Sequence, residues 1–229
     1  MYSSVTHIFS PRECEAIATH IEHTVRQSVS PAWAPGWPGE IEAAVLDAAF
    51  SLRAAYGGPE TGVRKVVAQW RHHRGGTPID DLTELAAFCR KPDQLAAILG
   101  NRQRTGDNTT TKAEAAARVA AVLVEQGVRS AHQLGDCDDQ RLAVTVVPGI
   151  GDKTWENVLF VAGIRTENGI GLLRSFASQA LGCEVDAATA ASLIEYTAEG
   201  LGIRQAHLEH AIWRYQRRVG VTAPLVDAG

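Results

Sequence analysis

The residue types best suited to chemistry in this chain lie between Val147 and Trp155, in the order Val-Pro-Gly-Ile-Gly-Asp-Lys-Thr-Trp. Gly149 and Gly151 can take positive φ at little steric cost, which permits a reversal within a few residues. Having no side chains, they also let a ligand approach the backbone closely. Apolar residues at helical spacing follow (Trp155, Val158, Leu159 and Ala162), so the residues after Gly151 are expected to begin a helix. Unpaired N–H groups at such a start carry partial positive charge and can seat a phosphate oxygen. Pro148, Gly149, Ile150 and Gly151 would shape that seat, with Lys153 adding a charge and Thr154 a hydroxyl.

Other basic residues are unevenly spread. Between Thr61 and Ile79 there is no acid, while Arg64, Lys65, Arg71 and Arg74 stand there with His72 and His73. Arg102, Arg104 and Lys112 cluster around the polar loop GNRQRTGDNTT, and the last helical stretch ends in Arg214, Arg217 and Arg218. Each cluster alone fits a solvated helix face. Taken together they fit a shared anion-binding face, of which Arg102, Arg104 and Lys112 are the candidates nearest the glycine turn. The net charge of −4 does not exclude such a face, because a local basic surface decides phosphate binding.

Metal chemistry has no comparable signature. Cys14, Cys89, Cys137 and Cys183 lie far apart without a CxxC pair, and the eight histidines form no HxxxH or HExxH. Four free thiols, no metal and no cofactor are expected. Asp136, Asp138 and Asp139 are consecutive enough to suggest a cation site, but carboxylates before a helix more often cap it.

The elements that must position these groups are helices. Ile41, Val45, Leu46, Ala49 and Leu52 recur at three- and four-residue spacing, as do the apolar residues of LTELAAFC and of DQLAAIL after Lys91-Pro92-Asp93. TTTKAEAAARVAAVLVEQGV has a threonine cap, an alanine-rich body and Gly127 as its stop. DAATAASLIEYTAEGLG and IRQAHLEHAIWRYQRR give two further amphipathic helices. Strand signals are weak, so the chain is expected to be all-α, with about ten to twelve short helices joined by short linkers. No stretch is apolar and long enough to span a membrane, and residues 1–16 lack a secretory pattern, so a cytoplasmic location is expected, nucleoid-associated in a bacterium.

The string Val-Pro-Gly-Ile-Gly-x-Lys-Thr between two apolar helices resembles the helix-hairpin-helix motif, which holds a DNA backbone phosphate without reading sequence. The segment is similar to the hairpin of the helix-hairpin-helix DNA glycosylase superfamily, whose familiar member is endonuclease III. TKAEAAARVAAVLVEQGV resembles the helix before that hairpin and GEIEAAVLDAAFSLRA the helix opening the family core, so the likeness runs from about Glu40 to Leu181. It implies two helical lobes with a cleft between them. Residues 57–165 would form a central lobe ending in the hairpin, and residues 1–56 would pack with 166–229 as the other.

It further implies base flipping from DNA, most simply duplex, and cleavage of the N-glycosidic bond. In bifunctional members a lysine at the position of Lys153 attacks the sugar and forms a Schiff base; elsewhere such a lysine only neutralises phosphate. The family's catalytic aspartate would fall near Ile170 or Gly171, or on Gly169, and none of these is acidic. Glu167 is the one carboxylate in that loop. Only Cys183 follows the hairpin, too few cysteines for the iron–sulfur cluster of some relatives. Trp33, Trp37, Phe50 and Tyr56 could stack on an extruded base, although Phe50 at helical spacing fits a core residue. The readings are thus a glycosylase or abasic-site lyase using Lys153 or Glu167, a catalytically silent DNA-binding protein, or a helical interaction protein whose hairpin is only a turn.

Overall fold

The computed structural model describes residues 9–28, 36–51, 60–76, 78–106 and 110–222. Within them lie eleven α-helices: α1 Pro11–Thr24, α2 Ile41–Ser51, α3 Gly62–His73, α4 Leu82–Ala86, α5 Pro92–Ile98, α6 Lys112–Glu125, α7 Asp138–Thr145, α8 Asp152–Val161, α9 Glu167–Leu181, α10 Ala187–Gly200 and α11 Gln205–Thr222. The described residues contain no strand, and their one isolated bridge joins Arg104 to Thr111. This is the all-α class that the periodicity implies. No helix among the described residues is long and apolar enough to cross a membrane.

The chain divides into two compact units, one made of residues 36–166 and one of residues 1–35 with 167–229. The first junction thus lies earlier than residue 56. The reason is α2, which packs against α3, α6 and α8 and belongs with them.

In the unit built from both ends of the chain, α1, α9, α10 and α11 share one core. Ile17 and Ile21, Leu173 and Phe176, Leu193 and Ile194, and Leu208 and Ile212 are all buried in it. Ser10 and Glu13 form a reciprocal cap that starts α1. His20 sits against Phe176 with ring centroids 4.6 Å apart, and its buried Nε2 has no hydrogen-bond partner. Burial, followed by the nearby His23, lowers its pKa.

The middle unit is organised around α2, whose residues from Ile41 to Phe50 are all buried. The apolar spacing alone suggests one buried stripe; burial on every side instead takes two carboxylates inside, and each must be paired. Glu42 accepts hydrogen bonds from Trp70 Nε1, from Arg74 Nε at 3.1 Å and from the Asp81 amide at 2.9 Å. Asp47 accepts from Trp37 Nε1 at 2.8 Å and from Ser51 Oγ at 2.9 Å. Just before the helix, Glu40 holds Arg71 through two bonds of 2.6 and 2.8 Å, which lowers the carboxyl pKa and raises that of the guanidinium. Arg71 and Arg74 are therefore drawn inward by α2, not displayed on a solvated face.

Two further departures are local. LTELAAFC breaks into α4 and a short 3-10 turn over Ala87–Arg90. α6 starts on Thr111, whose Oγ1 accepts from the Glu114 amide at 3.1 Å, and stops before Gly127 at φ 82°.

Candidate functional site

The glycine turn connects α7 and α8, which pack on each other. It is closed by the Val147 amide donating to Val144 O at 3.1 Å and the Ile150 amide donating to Val147 O at 3.0 Å. Val147 and Ile150 are buried beneath it, while Pro148 faces solvent. This alternation anchors the turn by its apolar side chains and leaves Pro148 and Gly151 exposed.

The two glycines differ in role. Gly149 takes φ 80°, and a Cβ there would lie 2.6 Å from Thr105 Oγ1 and 2.7 Å from Thr105 Cγ2, closer still to Thr105 Cβ. Positive φ and lack of room both require glycine at this position. Gly151 has φ −133° and ψ −177°, an extended conformation open to any residue, and a Cβ would meet nothing within 4 Å. The expectation of positive φ at both positions is corrected: Gly151 serves as the N-cap of α8. Having no side chain, it leaves the helix start without a side-chain cap and with open space beside it.

Thr105 belongs to the loop that carries the other candidate cations. Its amide and Oγ1 both donate to Thr110 O, at 2.8 and 3.0 Å, and the Lys112 amide donates to Gln103 O at 2.8 Å. These bonds hold the base of the loop as a narrow hairpin pressed against Gly149. Arg104, the residue before Thr105, is exposed. Arg102 is also exposed and only loosely engaged by Asp93, 3.7 Å away. The structure thus brings the Arg104 loop and the glycine turn together.

Two predicted contributors, Lys112 and Thr154, face elsewhere, and Trp155 packs inside as its helical spacing suggests. Lys112 is buried, its ammonium donating to Phe50 O at 3.0 Å and to Gln103 Oε1 at 3.3 Å. It meets a carbonyl near the end of α2, where a cation complements the helix dipole, and burial lowers its pKa. That placement withdraws it from a surface anion site. Thr154 is buried as well, so its hydroxyl does not line the turn's outer side. Trp155 is buried, with an indole N–H that finds no partner.

Lys153 is exposed in the first turn of α8, beside Asp152. Arg141 reaches across from α7, with Nη1 3.2 Å from Asp152 Oδ1 and Nη2 3.0 Å from Asp138 Oδ1. Its pKa is raised mainly by Asp138 and then by Asp152. This clasp ties the starts of the two helices and partly neutralises the one carboxylate at the mouth of α8. Arg141 and Thr105 escape a sequence reading; only the i,i+3 spacing of Asp138 and Arg141 hints at the clasp.

Glu167, the other catalytic candidate, is the exposed first residue of α9 and belongs to the unit that excludes Lys153. Gly169, Ile170 and Gly171 follow in the same helix. Among the aromatic candidates, Phe50 is core and Trp37 is bonded to Asp47, while Trp33 and Tyr56 lie outside the described residues. Arg217 lies over the Trp213 ring at 4.3 Å, and Arg218 is exposed. Among the described residues, no three His, Cys, Asp or Glu side chains converge as a metal site.

A family model, Domain of unknown function (DUF8548), matches residues 15–217. Neither the curated proteins nor the solved structures contain a match.

Proposed function

The chain belongs to the DUF8548 family, whose function is unknown, and we propose that it binds the backbone of duplex DNA through the α7–α8 turn. The observation that carries this reading is the contact of Gly149 with Thr105, which sets the Arg104 loop beside the open N-cap of α8. A phosphate oxygen would be held by the first N–H groups of α8, with Lys153 and Arg104 supplying charge. The residues resembling a helix-hairpin-helix between Val147 and Thr154 support the same reading.

Binding without base excision is the better-supported form. Excision develops positive charge on the deoxyribose and needs an adjacent carboxylate. Gly169, Ile170 and Gly171 offer none, and Glu167 is an exposed helix start.

Fluorescence anisotropy on a labelled duplex between 50 and 200 mM salt tests the proposal. Log affinity should fall linearly with log salt, by about 0.9 per phosphate neutralised. Lys153→Ala and Arg104→Ala should each lower that slope by about one, and Lys112→Met should leave it unchanged. Absence of binding, or binding indifferent to salt, would sink the reading. Borohydride trapping on an abasic duplex should give no adduct; an adduct lost in Lys153→Ala would restore the lyase chemistry.

A further inference from the structure

The outward side of α7 has no role in the phosphate seat, and its composition is unusual. At about 100° per residue, Asp138, Asp139, Leu142 and Val146 fall within about a 100° arc. That arc lies opposite Val144, the buried residue of the helix. Leu142 is 56% exposed and Val146, the C-cap, 74%. They are two of the four large apolar residues that are exposed among the described ones, and they stand one helical turn apart. Asp138 and Asp139 stabilise the helix start through its dipole, which accounts for the acids. Neither propensity nor packing accounts for the apolar pair, since lysine or glutamine would serve an exposed helix position as well.

We propose that this face docks a basic amphipathic helix from a protein partner. Leu142 and Val146 would receive apolar side chains spaced three or four residues apart on the partner. Asp138 and Asp139, with the exposed Asp136 just before the helix, would meet its lysines or arginines one to two turns away. Charge decides between the classes of occupant. Three exposed carboxylates beside the apolar pair repel a phosphate backbone and favour a cationic peptide. Arg141 offsets part of this charge through Asp138 but does not reverse its sign, because one guanidinium is shared by Asp138 and Asp152 while Asp136 and Asp139 add two more carboxylates. A second copy meeting this face with its own α7 would bring acid to acid. From Asp138 to Val146 the face is about 12 Å long, enough for about two turns of a partner helix. The inference does not depend on DNA binding.

Calorimetric titration of the full chain tests it with three synthetic peptides. One is a helix of Lys and Leu with leucines on one side, the second replaces each Lys by Glu, and the third scrambles the first so that no apolar side remains. The basic amphipathic peptide should bind in the micromolar range, and the other two at least tenfold more weakly. Val146→Ser and Leu142→Ser should each weaken it about tenfold, because each exposes an apolar contact again. Asp138→Asn with Asp139→Asn leaves the apolar pair intact and should weaken it several-fold, less so at high salt. Equal affinity for the scrambled or acidic peptide overturns the proposal, as does binding that ignores Val146→Ser. Sedimentation showing a dimer that Val146→Ser dissolves would assign the face to a second copy. Displacement of the peptide by duplex DNA would assign it to nucleic acid.

Discussion

Replacing Gly149 by alanine separates a turn that merely contains glycine from one that requires it. Two costs combine. Holding an L-residue at φ 80° costs about 1–2 kcal/mol. Forcing a methyl group to within 2.7 Å of Thr105 Cγ2 and 2.6 Å of its Oγ1 overpacks the contact, which costs about 1–3 kcal/mol. The sum, about 2–5 kcal/mol, is a large part of the stability of a single domain. Urea denaturation followed by tryptophan fluorescence reads it, since Trp37, Trp70 and Trp155 all lie in the middle unit. With a slope of about 1–3 kcal/mol per molar urea, the midpoint of that unit should fall by about 1 M or more. Gly151→Ala is the control: with extended φ and nothing within 4 Å of the new methyl group, it should cost under about 1 kcal/mol. A Thr105→Gly background removes the overlap and should recover about 1–3 kcal/mol of the Gly149→Ala cost. If Gly149→Ala is no worse than Gly151→Ala, or if Thr105→Gly recovers nothing, the close approach of turn and loop is wrong.

Glu42→Ala should destabilise the middle unit by about 3–5 kcal/mol in the same assay, because Arg74 loses its buried partner and the donors of Trp70 and Asp81 lose their shared acceptor. Glu84→Ala, which removes an exposed partner of the same arginine at 3.5 Å, should cost under about 1 kcal/mol. For His20 the folded-state pKa lies below the unfolded one, so below about pH 6.5 the unfolded chain takes up a proton that the folded chain resists. Stability of the α1–α9–α10–α11 unit should therefore be full above that pH and fall as the solution is acidified. His20→Gln should flatten the thermal-melting profile between pH 7 and 5, and an unchanged profile would remove His20 as the cause.

What was legible in the sequence was local. Thr111 and Gly127 bracket α6 because caps and stops act over a few residues. The turn at Gly149 announces itself for the same reason. Long-range pairing was not legible: the acid-free run around Arg71 and Arg74 suggests a solvated basic face until Glu40 and Glu42 arrive from 31 and 32 residues away. Lys112 likewise looks like a loop cation, and only the placement of α2 shows that its ammonium has a buried carbonyl to meet. Thr105 carries no motif at all, yet it is the residue that leaves no room for a side chain at position 149.

The division of the chain also has a consequence for its synthesis. The unit containing α1 draws its other helices from residues 167–222, so Ile17 and Ile21 have no core to enter until those residues have been made. Residues 36–166 come in between and are contiguous. At about 5–20 residues per second, α1 waits on the order of ten seconds on the ribosome with its apolar side uncovered. During that interval the middle unit can complete its own packing. Helix α1 is thus made before the middle unit and finds its place after it.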